Sequence, residues 1–162
     1  MKILLNAVIV LSLTLVATAG NAQEQGHLNV KTVVLTEEVS IDENGVRQTR
    51  LVEATTVVPG DEVIYNVTFA NISDEPAGNV VITNPLAEEM TYVVGSAFGP
   101  GSDIVFSVDG GRSFAEPENL FVTESGVDRL ASADDYTHIR WRMNNDIVAG
   151  AQGMAQFRAR LK

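Results

Sequence analysis

Apolar and polar residues alternate along most of this chain, and that two-residue period constrains the fold more than any other feature. In residues 62–70, the apolar side chains Val63, Tyr65, Val67 and Phe69 fall on every second position. Side chains two apart in a strand share one face, so this spacing predicts a strand with one face on a core and the other in water. Helical spacing is nearly absent, which predicts an all-β protein.

The same alternation marks further strands, and turn residues separate them. Inward-facing sets are predicted at Ile104, Phe106 and Val108, at Ile139, Trp141 and Met143, and at Ala155, Phe157, Ala159 and Leu161. Asn44-Gly45 predicts a two-residue hairpin between residues 39–41 and 46–52. Many short strands between such turns favour an antiparallel β-sandwich of Greek-key type. Trp141 is expected to fill the space between the sheets.

The first 22 residues have the layout of a secretory signal peptide. Lys2 provides a basic start, residues 3–16 are mostly apolar, and small residues follow up to Ala22. We expect cleavage after Ala22 and a periplasmic or extracellular product. The apolar stretch turns small and polar by Thr18, so it is too short for a membrane span and favours a cleaved leader. No second apolar span follows residue 22, so no membrane insertion is expected after cleavage.

Residues 23–162 are then expected to form one domain. Removing 22 residues from 162 leaves 140, enough chain for a single core, and loss of Lys2 takes the formal net charge from −10 to −11. We expect no nucleic-acid partner for so acidic a chain, because phosphate binding needs clustered Lys and Arg. With no cysteine in the sequence, neither a disulfide nor a thiolate nucleophile can form.

A resemblance to a known family rests on several consecutive motifs. They are residues 58–71, 74–86, 92–96, 107–111, 136–141 and 149–153, which read VPGDEVIYNVTFAN, DEPAGNVVITNPL, YVVGS, SVDGG, YTHIRW and AGAQG. Over about residues 50–162 the chain resembles the DUF11 repeat domain. That resemblance implies an exported bacterial, immunoglobulin-like module of unknown function. Its members often recur in tandem, whereas this sequence has no internal repeat.

Four arginines form the most distinctive polar pattern. Arg140 and Arg142 share one face of a predicted strand, and Arg158 and Arg160 share one face of the last strand. The short loop between these strands predicts a hairpin that would gather all four on one surface. Acidic neighbours are expected to offset these charges. The sharper hypothesis is a binding site for an anionic envelope component, such as a polysaccharide carboxylate.

Other candidate residues lack a constellation that supports chemistry. His27 and His138 have no second ligand set or triad around them, and the acidic clusters at residues 42–44, 116–118 and 134–135 lack the donor spacing of a known calcium loop. A carbohydrate-active alternative would need two carboxylates at a fixed separation, drawn from Asp103, Asp109, Glu116 and Glu118.

The sequence therefore predicts a noncatalytic structural or interaction module of the bacterial cell envelope. We expect no enzyme activity and no cofactor or metal, with a cell-envelope protein or polysaccharide as partner. The alternative is a small-ligand-binding, carbohydrate-binding or carbohydrate-active β-sandwich protein. Exposed strand edges also invite pairing with another sheet, for which residues 28–35 are the candidate segment.

Overall fold

The computed structural model describes residues 28–162, and β-strands dominate them. The strands are β1 Leu28–Ile41, β2 Arg47–Glu53, β3 Glu62–Asn71, β4 Val81–Pro85, β5 Met90–Tyr92, β6 Ser102–Ser107, β7 Phe121–Glu124, β8 Val127–Leu130, β9 His138–Met143 and β10 Gln152–Leu161. Two short 3-10 helices lie at Pro117–Asn119 and Ala133–Asp135. The expected leader, its cleavage site and His27 lie outside the described residues.

The strands form three antiparallel sheets. A five-stranded sheet has the order β2-β1-β3-β10-β5, a three-stranded sheet has the order β4-β9-β6, and β7 pairs with β8 in a small ribbon. Every ladder between these strands is antiparallel. The predicted all-β, antiparallel class is confirmed.

The core lies between the five-stranded and three-stranded sheets, in a β-sandwich-like arrangement. Trp141 of β9 and Phe157 of β10 are fully buried, with ring centroids 6.1 Å apart. The Trp141 indole N–H donates to the carbonyl of Phe98 at 3.1 Å, so its polar atom is satisfied as well. The predicted core role of Trp141 is confirmed.

Close packing explains one glycine in the last strand. Gly153 lies opposite Phe69 in the β10–β3 ladder. A Cβ at this position would overlap the Phe69 ring, so the ring occupies the space that any larger residue would need. Four residues before Phe69 in β3, Tyr65 stacks on Phe157 with ring centroids 4.5 Å apart, and burial raises the pKa of the Tyr65 phenol.

The predicted hairpin at Asn44-Gly45 forms, but its loop is longer than two residues. Ile41 pairs with Arg47, and the turn closes through a 2.9 Å hydrogen bond from Gly45 N–H to the Asp42 carbonyl. The Asp42 carboxylate accepts hydrogen bonds from the backbone N–H groups of Asn44 and Val46, each at 2.9 Å. That side chain stabilises the wider loop, and Gly45 takes the left-handed conformation it requires, at φ +80°.

Strand β1 pairs with two strands, one along each half of its length. Residues 28–35 pair with β3, and residues 35–41 pair with β2. Residues 28–35, the segment expected to add to a partner's sheet, pair with β3 on one side, and residues 28–33 have no strand partner on the other side among the described residues. Residues 36–53, here called the arm, continue as a two-stranded hairpin beyond the end of the β1–β3 ladder.

Candidate functional site

The four arginines lie on two sheets, so the predicted β9–β10 hairpin is wrong. Strand β9 is flanked by β4 and β6, whereas β10 is flanked by β3 and β5. Neither strand has a free side for the other, and the connecting segment crosses between the sheets. Arg140 and Arg142 therefore lie on the outer face of one sheet, opposite the buried Trp141, and Arg158 and Arg160 lie on the outer face of the other.

Acidic neighbours engage the two arginines of β10. Arg158 lies 2.6 Å from Glu37 of the arm and 4.0 Å from Glu62, and Arg160 pairs with Glu62. These pairs lie at the surface, where each contributes about 0–1 kcal/mol. The Arg158–Glu37 pair joins the base of the arm to the centre of its sheet.

The arginines of β9 have different surroundings. The Arg140 guanidinium stacks over the Phe114 ring, 3.4 Å from its centroid, and its Nε donates to Thr83 Oγ1 at 2.8 Å. Arg142 is exposed and faces Asp103 across the β6–β9 ladder. Of the four candidate arginines, Arg142 is the one without a side-chain hydrogen bond or ion pair among the described residues, which makes it the most available for a ligand.

The carboxylates of the enzymatic alternative are separated or engaged locally. Asp103 is the second residue of β6 and Asp109 lies two residues past its end, so the chain between them spans up to about 20 Å. Asp109 accepts hydrogen bonds from the hydroxyls of Ser113 and Ser107, at 2.6 and 2.7 Å, and from the Ser113 and Arg112 backbone N–H groups. These bonds, led by that from the Ser113 hydroxyl, hold the Asp109 pKa well below its usual range. Asp109 thus stabilises a turn.

The remaining sequence candidates also have local roles. His138 is half-buried, with Nδ1 3.1 Å from Thr137 Oγ1 and its ring edge-on to Phe114. Glu116 and Glu118 are exposed around the 3-10 helix at Pro117–Asn119. Within residues 28–162, no cluster of three or more His, Asp or Glu side chains is placed to hold a metal ion.

A charge cluster around Asp135 was not anticipated from the sequence. Arg129 of β8 donates hydrogen bonds from two guanidinium nitrogens to Asp135, at 2.7 and 2.9 Å, and from its Nε to Glu124 at 2.7 Å. Asp135 further accepts from the backbone N–H and hydroxyl of Ser132, at 2.7 and 2.8 Å. The Arg129 contact is the main cause that lowers the Asp135 pKa well below its ordinary value. The cluster fastens the β7–β8 ribbon to the sandwich.

An open cleft of about 430 Å³ lies at the β5 edge of the five-stranded sheet. It is lined by residues 91–94, Asp134 and residues 160–162, so Arg160 borders it. Two of the lining residues bond each other, since the Thr91 hydroxyl donates to Asp134 at 2.5 Å. These residues are distant in sequence, and their spacing offered no indication of the cleft.

The arm exposes both an unpaired strand edge and an apolar face. Strand β2 ends the order of the five-stranded sheet, so its far side has no partner strand among the described residues. Val39, Ile41 and Leu51 share one face of the arm and are 46%, 73% and 51% exposed. Both features are typical of surfaces that bind another chain.

No protein-family model, curated protein or solved structure matches the chain. Within residues 28–162, no helix combines the length and hydropathy needed to cross a bilayer.

Proposed function

We propose that the chain is a noncatalytic, exported structural or interaction module of the bacterial cell envelope. The observation that carries this proposal is the arm, which extends an unpaired strand edge and three exposed apolar side chains beyond the sandwich. An exposed edge binds a second chain through main-chain hydrogen bonds, and neighbouring side chains select the partner.

The engaged state of the candidate catalytic groups supports a binding role over a catalytic one. The Asp109 carboxylate accepts four hydrogen bonds within one turn, and His138 packs against Phe114. The leader-like residues 1–22 favour export. The resemblance to the DUF11 repeat domain and the sandwich-like sheets favour an immunoglobulin-like, Greek-key module.

Binding to envelope fractions with and without the arm tests the proposal. In the shortened variant, residues 39–49 are replaced by Asn-Gly, which leaves Glu38 and Arg50 as the closing pair of the hairpin. Retention of the mature protein on a defined envelope fraction, with loss of retention for the shortened variant, is the expected result. Equal retention of both proteins, or retention of neither, contradicts the proposal.

Arginine variants distinguish the two sheet faces as contacts for an anionic polysaccharide. Arg142→Gln alters the three-stranded sheet and Arg160→Gln alters the five-stranded sheet. Arg112→Gln is the matched control, because Arg112 lies in the turn after β6 and donates to the carbonyl of Asp109. Selective loss of polysaccharide binding in a sheet variant identifies the face. Unchanged binding in both rules these two arginines out.

The cleft at the β5 edge favours a second candidate function, carbohydrate or small-ligand binding. Its lining combines Tyr92 and Val94 with the charged groups of Asp134, Arg160 and Lys162. A glycan array of the mature protein tests this candidate, with Asp134→Asn as the cleft variant and the exposed Asp128→Asn as its control. Glycan binding that Asp134→Asn leaves unchanged excludes the cleft as the binding site.

A further inference from the structure

The pattern of main-chain hydrogen bonds in the arm determines which N–H and C=O groups of β2 point away from β1. Ala54 N–H donates to the Val34 carbonyl at 2.9 Å, and Asp42 N–H donates to the Val46 carbonyl at 3.0 Å. In an antiparallel ladder such paired residues alternate with residues whose N–H and C=O point the other way. Even-numbered residues of β2 therefore face β1. The outward groups belong to the odd-numbered residues Arg47, Thr49, Leu51 and Glu53.

Two copies of β2 can pair across a two-fold axis in only a few registers. A register centred on Arg50 places Arg47 opposite Glu53 and Thr49 opposite Leu51, so every outward residue of the strand finds an outward partner. Each such pair exchanges two main-chain hydrogen bonds. Registers centred on Thr49 or Leu51 leave an end of the strand without a strand partner.

The charges select the same register. Arg47 and Glu53 are exposed, and neither forms an ion pair among the described residues. Charged residues on an edge strand usually oppose association, but the register centred on Arg50 brings these opposite charges together twice. Centring on Thr49 would instead set Arg47 against Leu51.

We infer that the chain binds a second copy of itself through antiparallel pairing of the two β2 strands about a two-fold axis at Arg50. This inference deepens the proposed function, on which it rests for the role of the arm, by naming one partner of the arm. A two-fold interface is self-complementary, which is what the Arg47 and Glu53 positions provide.

The side chains around the axis are compatible with this pairing. The two Arg50 residues would face each other, but each already has a counter-charge from Glu38 at 2.6 Å. On the other face, Leu51 lies opposite Thr49 of the second copy and diagonal to its Leu51, within reach for apolar contact. Leu51, which is 51% exposed in the single chain, thereby gains apolar contacts.

Sedimentation equilibrium of residues 23–162 from about 10 μM to about 1 mM tests the inference. We expect a concentration-dependent monomer–dimer equilibrium. Arg47→Glu should weaken association at least about tenfold, since two like-charged pairs form per dimer, and Glu53→Arg should do the same. The double variant Arg47→Glu/Glu53→Arg restores opposite charges and should restore association. A monomer throughout the range, or no rescue by the double variant, overturns the inference.

A backbone variant separates edge pairing from other modes of association. Thr49→Pro removes an N–H that points away from β1, so no hydrogen bond within the arm is lost. The variant should be monomeric, while Thr49→Ala, which keeps the N–H, should dimerise like the parent. Far-UV circular dichroism checks that both remain folded. Dimerisation of Thr49→Pro at the parent's affinity contradicts edge pairing.

The outcomes for the inference and for the proposed function are distinguishable. Dimerisation of the pure protein without envelope retention would overturn the envelope role and leave the β2 pairing intact. Envelope retention by a protein that stays monomeric at about 1 mM would overturn the pairing alone.

Discussion

At the scale of single residues, burial determines which aromatic side chains stabilise the fold. Phe157 is fully buried against Trp141 and Tyr65, whereas Phe121 on the β7–β8 ribbon is 57% exposed. Phe157→Ala should lower the free energy of unfolding by about 3–5 kcal/mol, through lost burial and the cavity left behind. Phe121→Ala, the same change at an exposed position, should lower it by under about 1 kcal/mol.

Urea unfolding measures the change in the free energy of unfolding for both variants. Trp141 fluorescence can follow the transition, because Trp141 is the sole tryptophan of the sequence. Equal losses of stability for the two substitutions would contradict a core between the sheets.

The Asp135 carboxylate is expected to give part of the stability a dependence on pH. Its folded-state pKa is depressed by Arg129 below the ordinary 3.8, so its contribution is present above about pH 4 and is lost as the pH falls toward the folded pKa. Asp135→Asn should lower the melting temperature by a few degrees at pH 7. The difference in melting temperature between the parent and Asp135→Asn should become smaller below about pH 4.

Melting curves between pH 7 and pH 2 test this linkage, with the exposed Asp128→Asn as the control. A difference in melting temperature that stays constant from pH 7 to pH 2 would show that the Asp135 charge does not contribute to stability.

At the scale of elements, alternation predicted strand faces well and strand partners poorly. Inward positions of β3, β9 and β10 such as Val67, Ile139 and Phe157 are buried as expected. Ile64, on the expected polar face, is also buried, because Leu35 of β1 and Arg158 of β10 flank it in the two neighbouring strands. This cover comes from residues distant in sequence, and a local pattern does not contain it.

The absence of long-range pairing from a local pattern also explains why the predicted β9–β10 hairpin of the four arginines is wrong. The period of β9 and β10 correctly placed Arg140, Arg142, Arg158 and Arg160 on outward faces. Assigning the two strands to sheets depended on β3, β4, β5 and β6, whose pairings link residues far apart in the chain. A short connecting loop favours a hairpin, but here the partners on both sides of each strand decide the topology.

The arm is expected to be dispensable for folding. From Glu38 to Leu51 its side chains are exposed apart from a half-buried Asp42, so removing them costs little core contact. Replacing residues 39–49 by Asn-Gly should change the free energy of unfolding by under about 1 kcal/mol, since a two-residue turn suits this hairpin. Urea unfolding of the shortened chain measures the change. A loss of several kcal/mol would show that the arm supports the sandwich.

At the scale of the whole molecule, both large sheets share one buried cluster. Phe157, Tyr92 and Val67 of the five-stranded sheet lie in the same cluster as Trp141 and Ile139 of the three-stranded sheet. A single shared core predicts cooperative, two-state unfolding of residues 28–162. Trp141 fluorescence and far-UV circular dichroism should give coincident urea transitions, unchanged by a reducing agent. Two separated transitions would indicate that the sheets unfold independently.

The position of β10 has a consequence for the timing of folding. This strand is the last in the sequence, yet it sits in the interior of the five-stranded sheet, between β3 and β5. The sheet therefore cannot close until residues 152–161 have been synthesised. A nascent chain that still lacks β10 leaves the space between the sheets without Ala155, Phe157 and Ala159, so it cannot complete the native packing during synthesis.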